Sequence, residues 1–302
     1  MQAERSDGGA TDPRVDAVAL ARTVARLCAA AKVPWLHEEA ARRMADRLPL
    51  MKLQPQRVLD WSGPLGGSDS LLQQAYPQAQ RRAVLMGGWP APAAPARRRW
   101  TWRRTASSVV PVPASEVPAG EGQLLWSNML LHGRSDPQPL FGQWQRALAV
   151  GGFLMFSTLG PGSLPELRSI HRAQGWGEPW VPFIDMHDLG DMLVHAGFAD
   201  PVMDQELLTL TWPDADALLR ELRGLGANVS PRRHAGLRTP RWRERLVAAL
   251  QAQAVDGRPR LTFELVYGHA FKAAPRAPVQ AQTALSLDDM RSLIRAGKPS
   301  PT

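Results

Sequence analysis

From Arg57 to Gly197, short apolar runs alternate with segments whose apolar residues recur at helical spacing. Arg57–Trp61 (RVLDW), Arg82–Met86 (RAVLM), Gln123–Trp126 (QLLW) and Gly152–Thr158 (GFLMFST) are too short for helices and read as buried strands. The segments Asp69–Ala75, Pro139–Leu148, Ser163–Arg172 and His187–His195 read as the helices between them, the last closed by Gly197 just past its end. Strands alternating with helices of about ten residues imply an α/β protein with a mostly parallel sheet. Two helices precede this body. Val15, Val18, Ala19, Val24 and Leu27 share one face, and Trp35–Leu48 carries Glu38 and Glu39 four residues before Arg42 and Arg43. Later the character changes. Strands at Leu207–Trp212 and Leu261–Phe271 are separated by helices at Ala215–Leu225 and Arg241–Ala254, which suits an antiparallel hairpin interrupted by a helical insertion at about 214–254. Residues 87–122 are rich in Pro and Arg and offer only Ser107–Val112 as a weak strand. One domain is expected over residues 14–272, between a loose segment 1–13 and a loose tail 273–302 holding one short helix at Leu287–Ala296.

Composition narrows the class. The 302 residues are 44% hydrophobic, enough for one large core. A single cysteine, Cys28, excludes an internal disulfide framework and a Cys-rich zinc site, and fits a reducing cytoplasm. No apolar run approaches the roughly 18–20 residues of a membrane helix, and the opening MQAERSDGGATDP is not a signal peptide. The net charge of +8, arginine more than lysine, suits acidic partners such as a phosphate-bearing cofactor or an acidic carrier protein.

The most informative local feature is Val58–Gly67 (VLDWSGPLGG), a strand entering a Gly-rich turn before a helix. Such a turn lets backbone approach a nucleotide; an ordinary strand-to-helix turn has the same composition. The seven histidines lack metal-ligand spacing, and His37-Glu38 has no second His four residues on, so no metal is expected. Asp185, His187, Asp188 and Asp191 cluster where a helix begins, as capping alone would have it. Ser157 in FSTLG is not a nucleophile elbow, which removes the hydrolase signal. Arg97–Arg104 (RRRWTWRR) interleaves basic and aromatic residues as a nucleic-acid surface does, but no nucleic-acid module surrounds it.

Several strings then meet in order. Leu124–Asn128 (LLWSN), Phe156–Gly160 (FSTLG) with Ser163–Arg168 (SLPELR), Phe183–Leu189 (FIDMHDL) with Ala196–Phe198 (AGF), Leu222–Asn228 (LRGLGAN) and Thr262–Gly268 (TFELVYG) resemble the malonyl-acyl-carrier-protein O-methyltransferases of biotin synthesis, from about residue 35 to 272. The resemblance implies a Rossmann-like class I methyltransferase fold with a seven-stranded, mostly parallel sheet and S-adenosylmethionine as cofactor. It also implies the free carboxylate of malonyl on an acyl carrier protein as substrate. On the cofactor side it points to Asp60, Ser62, Gly63 and Gly66. It puts Asn128 beside the methyl as the catalytic candidate, so that Asn128→Ala should abolish transfer with little change in melting temperature. Substrate-side candidates are His132, Arg168, Asp185 and His187. Each also has a plain reading, as a turn residue, a loop cap, a solvated helix arginine or a helix start.

The departures fall on the cofactor half. Counting from Asp60, the family's three loop-glycine positions hold Ser62, Pro64 and Gly66, so two of the three glycines are lost, and Pro64 lacks an N–H. No acid ends the second strand at Leu85–Gly88, none stands in Val110–Pro113, and Gly122-Gln123 replaces the usual Phe-Asp. The alternative is therefore a non-catalytic relative that keeps the fold and binds a carrier or other partner, unless Ser62, Ser68, Asp69 or tryptophans 61, 89, 100 and 102 replace the lost contacts.

Overall fold

The computed structural model describes residues 15–30, 32–86 and 109–274. Its centre is a seven-stranded sheet in the order β3-β2-β1-β4-β5-β7-β6. Strands β1 (Arg57–Asp60), β2 (Gln80–Leu85), β3 (Val110–Pro113), β4 (Gly122–Asn128) and β5 (Leu148–Leu159) are parallel. β7 (Arg260–Phe271) runs antiparallel to both β5 and β6 (Ala199–Thr211).

The period-two alternation of the strands splits the core between two faces. Val58, Leu124, Trp126, Phe153, Met155, Phe263 and Leu265 pack on one side, under the helices α2 (Trp35–Ala45), α3 (Asp69–Ala75), α5 (Pro165–Gln174), α7 (Ala215–Leu225) and α8 (Pro240–Ala252). Leu59, Val84, Leu125, Leu154, Phe156 and Val266 pack on the other, against α4 (Gln138–Ala147) and α6 (Met186–His195). The first helix, α1 (Ala17–Ala29), is capped by Asp16, whose Oδ1 accepts from the N–H groups of Val18 and Ala19. It is tied to the stretch after α7 rather than to the sheet. Asp16 N–H donates to Val229 O (2.8 Å), Arg233 pairs with Asp16 (2.7 Å), and Arg26 donates to the carbonyls of Arg223 and Gly226. α1 and the helical insertion together roof one end of the sheet.

The α/β class, the antiparallel last strands and the helical insertion are as the patterning implies. The differences have local causes. β6 begins at Ala199, not Leu207, because it is an edge strand with exposed alternate residues and an irregular register between Ala199 and Val202, which hides its first half from an apolar-run criterion. β3 is Val110–Pro113, not Ser107–Val112, and as the other edge strand it tolerates two prolines. β5 starts at Leu148, four residues before Gly152, at a register shift against β4. The helix from Trp35 stops at Ala45 and a 3-10 turn, Leu48–Leu50, follows. Segments 1–13 and Arg97–Arg104, the tryptophans 89, 100 and 102, and Leu287–Ala296 lie outside the described residues.

Candidate functional site

The strand order reverses between β1 and β4, and in open α/β sheets ligands bind beyond the carboxyl ends of the strands at that reversal. At this point stand Asp60 and the turn Trp61–Gly67 from β1, Asn128–Arg134 from β4, and His37 from α2.

The turn is held from inside. Gly63–Leu65 forms one 3-10 turn, flanked by Ser62 and Gly66, with Pro64 near its start, where a missing N–H costs least. The N–H of Ser62 donates to Asp60 Oδ1 (2.9 Å), and Ser62 Oγ accepts from the N–H of Asn128 (2.7 Å). Gly66 is required by packing, since a Cβ there would lie 2.1 Å from Ser62 Cβ. Trp126 Nε1–H donates to Ser68 Oγ (2.7 Å), which donates to Gly66 O.

Asn128 is 1% exposed. Its Nδ2 donates to His37 O and to Gly66 O (both 2.7 Å), and its Oδ1 accepts from Ser157 Oγ. The side-chain amide is thus spent on tying α2, the β1 turn and β5 together. In this structure the side chain is a tie between three elements, and it is not among the residues that wall the neighbouring cavity.

A cavity of about 80 Å³ lies beyond this tie, walled by Leu20, Val24 and Leu27 of α1, by Ser62, Leu65, His37, Met129, His132 and Arg134, and by Trp180 with Gly226. Usual small-molecule sites hold about 300–1,000 Å³, so this cavity alone is smaller than a site for a whole cofactor. His37 Nδ1–H donates to Leu65 O (2.9 Å), which fixes its tautomer and leaves Nε2 an acceptor. Burial pushes the pKa of His37 down to about 4 and that of His132 to about 3, so both rings are neutral at pH 7. Nδ1 of His132 has no partner among the described residues. His37 and His132 stand 6.2 Å apart edge-on, and His132 meets Phe183 at 6.4 Å. Asp60 is half-buried, and loss of water pushes its carboxyl up to about 6 against the hydrogen bonds from Ser62. It has no ion-pair partner among the described residues. Arg134 reaches Met86 Sδ (2.6 Å) beyond the end of β2, where the family's ribose-binding acid is absent. Burial lowers its pKa, and it too pairs with no carboxylate among the described residues.

The other candidates stand elsewhere. Arg168 donates to Ser163 O and Val181 O and lies over the ring of Phe183 (5.7 Å), outside the cavity wall. Asp185 caps α6, accepting from the N–H and Nδ1 of the exposed His187 (both 2.8 Å); this pair does not line the cavity either. Sequence reasoning missed His37, Arg134, Trp180 and the role of α1. Only His37 had attracted notice, for a metal motif it does not complete. Among the described residues no group of His, Cys, Asp or Glu is arranged to hold a metal, and no helix is long and apolar enough to cross a membrane.

The reversed strand order, the antiparallel final strand and the site at the reversal define a Rossmann-like class I methyltransferase fold. The malonyl-acyl-carrier protein O-methyltransferase of Gallionella capsiferriformans is 37% identical over 248 residues, 80% of this chain and 85% of that protein. The one of Laribacter hongkongensis is 36% identical over 275 residues, 88% and 90% of the two chains. A solved structure, the Burkholderia thailandensis 1,6-didemethyltoxoflavin-N1-methyltransferase, superposes with a TM-score of 0.49 at 18% identity, covering 89% of this chain and 93% of that one. No family model matches the chain. The chain belongs to the malonyl-acyl-carrier protein O-methyltransferase family.

Proposed function

We propose that the protein is an S-adenosylmethionine-dependent enzyme that methylates the free carboxylate of a malonyl thioester on an acyl carrier protein. The observation that carries this reading is similarity to relatives of that name over four fifths or more of the chain. A cytoplasmic location goes with it.

The donor set fits the cationic end of the cofactor. Asp60 is a desolvated carboxyl without an ionic partner among the described residues, and a sulfonium and an ammonium group supply the positive charge that restores its ionisation. Ser62 and Asn128 hold the turn that presents it. S-adenosylmethionine, when bound, supplies an activated methyl group.

The acceptor carboxylate is ionised at neutral pH and needs no base, which suits a cavity whose histidines are neutral. Rate enhancement then rests on alignment and on exclusion of water by the apolar walls from α1 and Trp180. Arg134, the cation on the cavity wall, replaces Arg168 as anchor for the malonyl carboxylate. Methylation turns that carboxylate into a neutral ester, the ion pair is lost, and product leaves.

The test is transfer of labelled methyl from S-adenosylmethionine to malonyl-acyl carrier protein by the purified chain, with the methyl ester identified by mass spectrometry. Turnover that Arg134→Met lowers at least tenfold is expected. No ester and no binding of S-adenosylmethionine at millimolar concentration would overturn the reading in favour of a non-catalytic carrier-binding relative.

A further inference from the structure

A second, larger cavity of about 570 Å³ opens beside the first, between α5, α7, α8 and the irregular stretch that joins the last two. It shares Trp180, Gly226 and Ala227 with the inner cavity, so the two meet at that neck. The approach is close: a Cβ on Gly226 would lie 3.3 Å from the Trp180 ring.

The charge of this groove is one-sided. Residues 214–254 hold eight arginines against four acids. Among the four arginines on its wall, Arg233 pairs with Asp16 and Arg243 with Asp216. The remaining two, Arg223 and Arg238, meet no carboxylate among the described residues. Arg223 is exposed on α7; Arg238 stacks over Trp242 (4.6 Å) and donates only to Trp176 O. Leu237, next to Arg238, is 98% exposed. The groove therefore offers two guanidinium groups without a carboxylate partner among the described residues, and a passage inward. A small anion alone would leave most of it empty.

We propose that this groove is the channel for the phosphodiester-linked, amide-bearing arm of the carrier protein. Arg223 and Arg238 hold the phosphate outside, and the acyl end passes Trp180 into the inner cavity. Guanidinium groups suit a phosphate in both charge and geometry. The proposal deepens the function argued above and rests on its choice of a carrier-borne substrate.

Calorimetric titration of the full chain with holo carrier protein, which bears the arm, and with apo carrier protein, which does not, tests it without requiring turnover. Holo is expected to bind at least tenfold tighter, about what one or two hydrogen bonds to a charged group supply. Arg223→Gln alone, at an exposed position without a partner, should erase much of that preference, and Arg223→Gln with Arg238→Gln should erase it fully. Arg241→Gln, exposed but off the groove wall, should keep it. Equal binding of holo and apo, or a preference that survives both substitutions, overturns the proposal. The two readings fail separately. A wild type that prefers holo but transfers no methyl loses only the activity; one that transfers methyl without an arginine-dependent holo preference loses only the channel.

Discussion

Replacing Asn128 by Ala should unfold the protein more easily rather than merely silence it. The substitution removes one acceptor and two donors at a position 1% exposed: the Ser157 hydroxyl hydrogen loses its acceptor, and His37 O and Gly66 O each lose a donor, although Gly66 O keeps that of Ser68 Oγ. An unsatisfied buried polar group costs about 1–3 kcal/mol, so a loss of about 2 kcal/mol is expected. In a chain of this size class that lowers Tm by about 4–8 °C. Asn128→Asp keeps the acceptor but loses both donors and adds a buried charge, so it should do no better. The assay is calorimetric melting with a urea titration at pH 7. The same network joins Ser157 to Asn128, so Ser157→Ala combined with Asn128→Ala should cost less than the sum of the two. A Tm for Asn128→Ala within about 2 °C of wild type, below the effect of a single lost kcal/mol, would refute the structural tie and return this side chain to the ligand.

Three further outcomes follow from the site. The folded pKa of His37, about 4, lies below its ordinary 6.5, so the unfolded chain takes up a proton first as pH falls; stability is whole above 6.5 and is lost on descent to about 4. The urea midpoint should fall between pH 7 and pH 5, and less steeply in His37→Gln; parallel slopes count against the assignment. Asp60 works the other way, its pKa raised to about 6, so its contribution is present below its ordinary 3.8 and is lost as pH rises through 6. Asp60→Asn should be more stable than wild type at pH 8 without ligand, and wild-type affinity for S-adenosylmethionine should rise from pH 5 to pH 7 while the variant's stays flat. Gly66→Ala puts a methyl 2.1 Å from Ser62 Cβ and should cost about 1–3 kcal/mol as overpacking does; adding Ser62→Gly should recover part of it in a melting experiment, and strict additivity would show that the turn yields elsewhere.

The order of strands and helices was legible in the sequence because each is set by local periodicity. The apolar runs at Val58, Val84, Leu124 and Phe153 alternate with amphipathic segments whatever the rest of the chain does. Family strings in the second half were legible for the same reason, as contiguous residues. Edge strands were not: β6 pairs on one side only, and half of its residues carry no apolar signal. The Gly-rich turn after β1 was legible as composition, but its ties to Asn128 were not, because Ser62 and Gly66 meet that residue 66 and 62 positions away.

By itself, then, the sequence determined the α/β class, the late antiparallel pair, the arginine-rich insertion and the family. Only the tertiary structure decided which polar residues are free. Asn128 bonds to a carbonyl 91 positions away, α1 reaches the insertion through Asp16 and Arg233 217 positions apart, and among the described residues Arg233 and Arg243 find carboxylates while Arg223 and Arg238 do not. Hydrogen bonds and ion pairs are satisfied in space, after the chain has folded. Which side chains remain for a ligand is a remainder, and no local pattern encodes it.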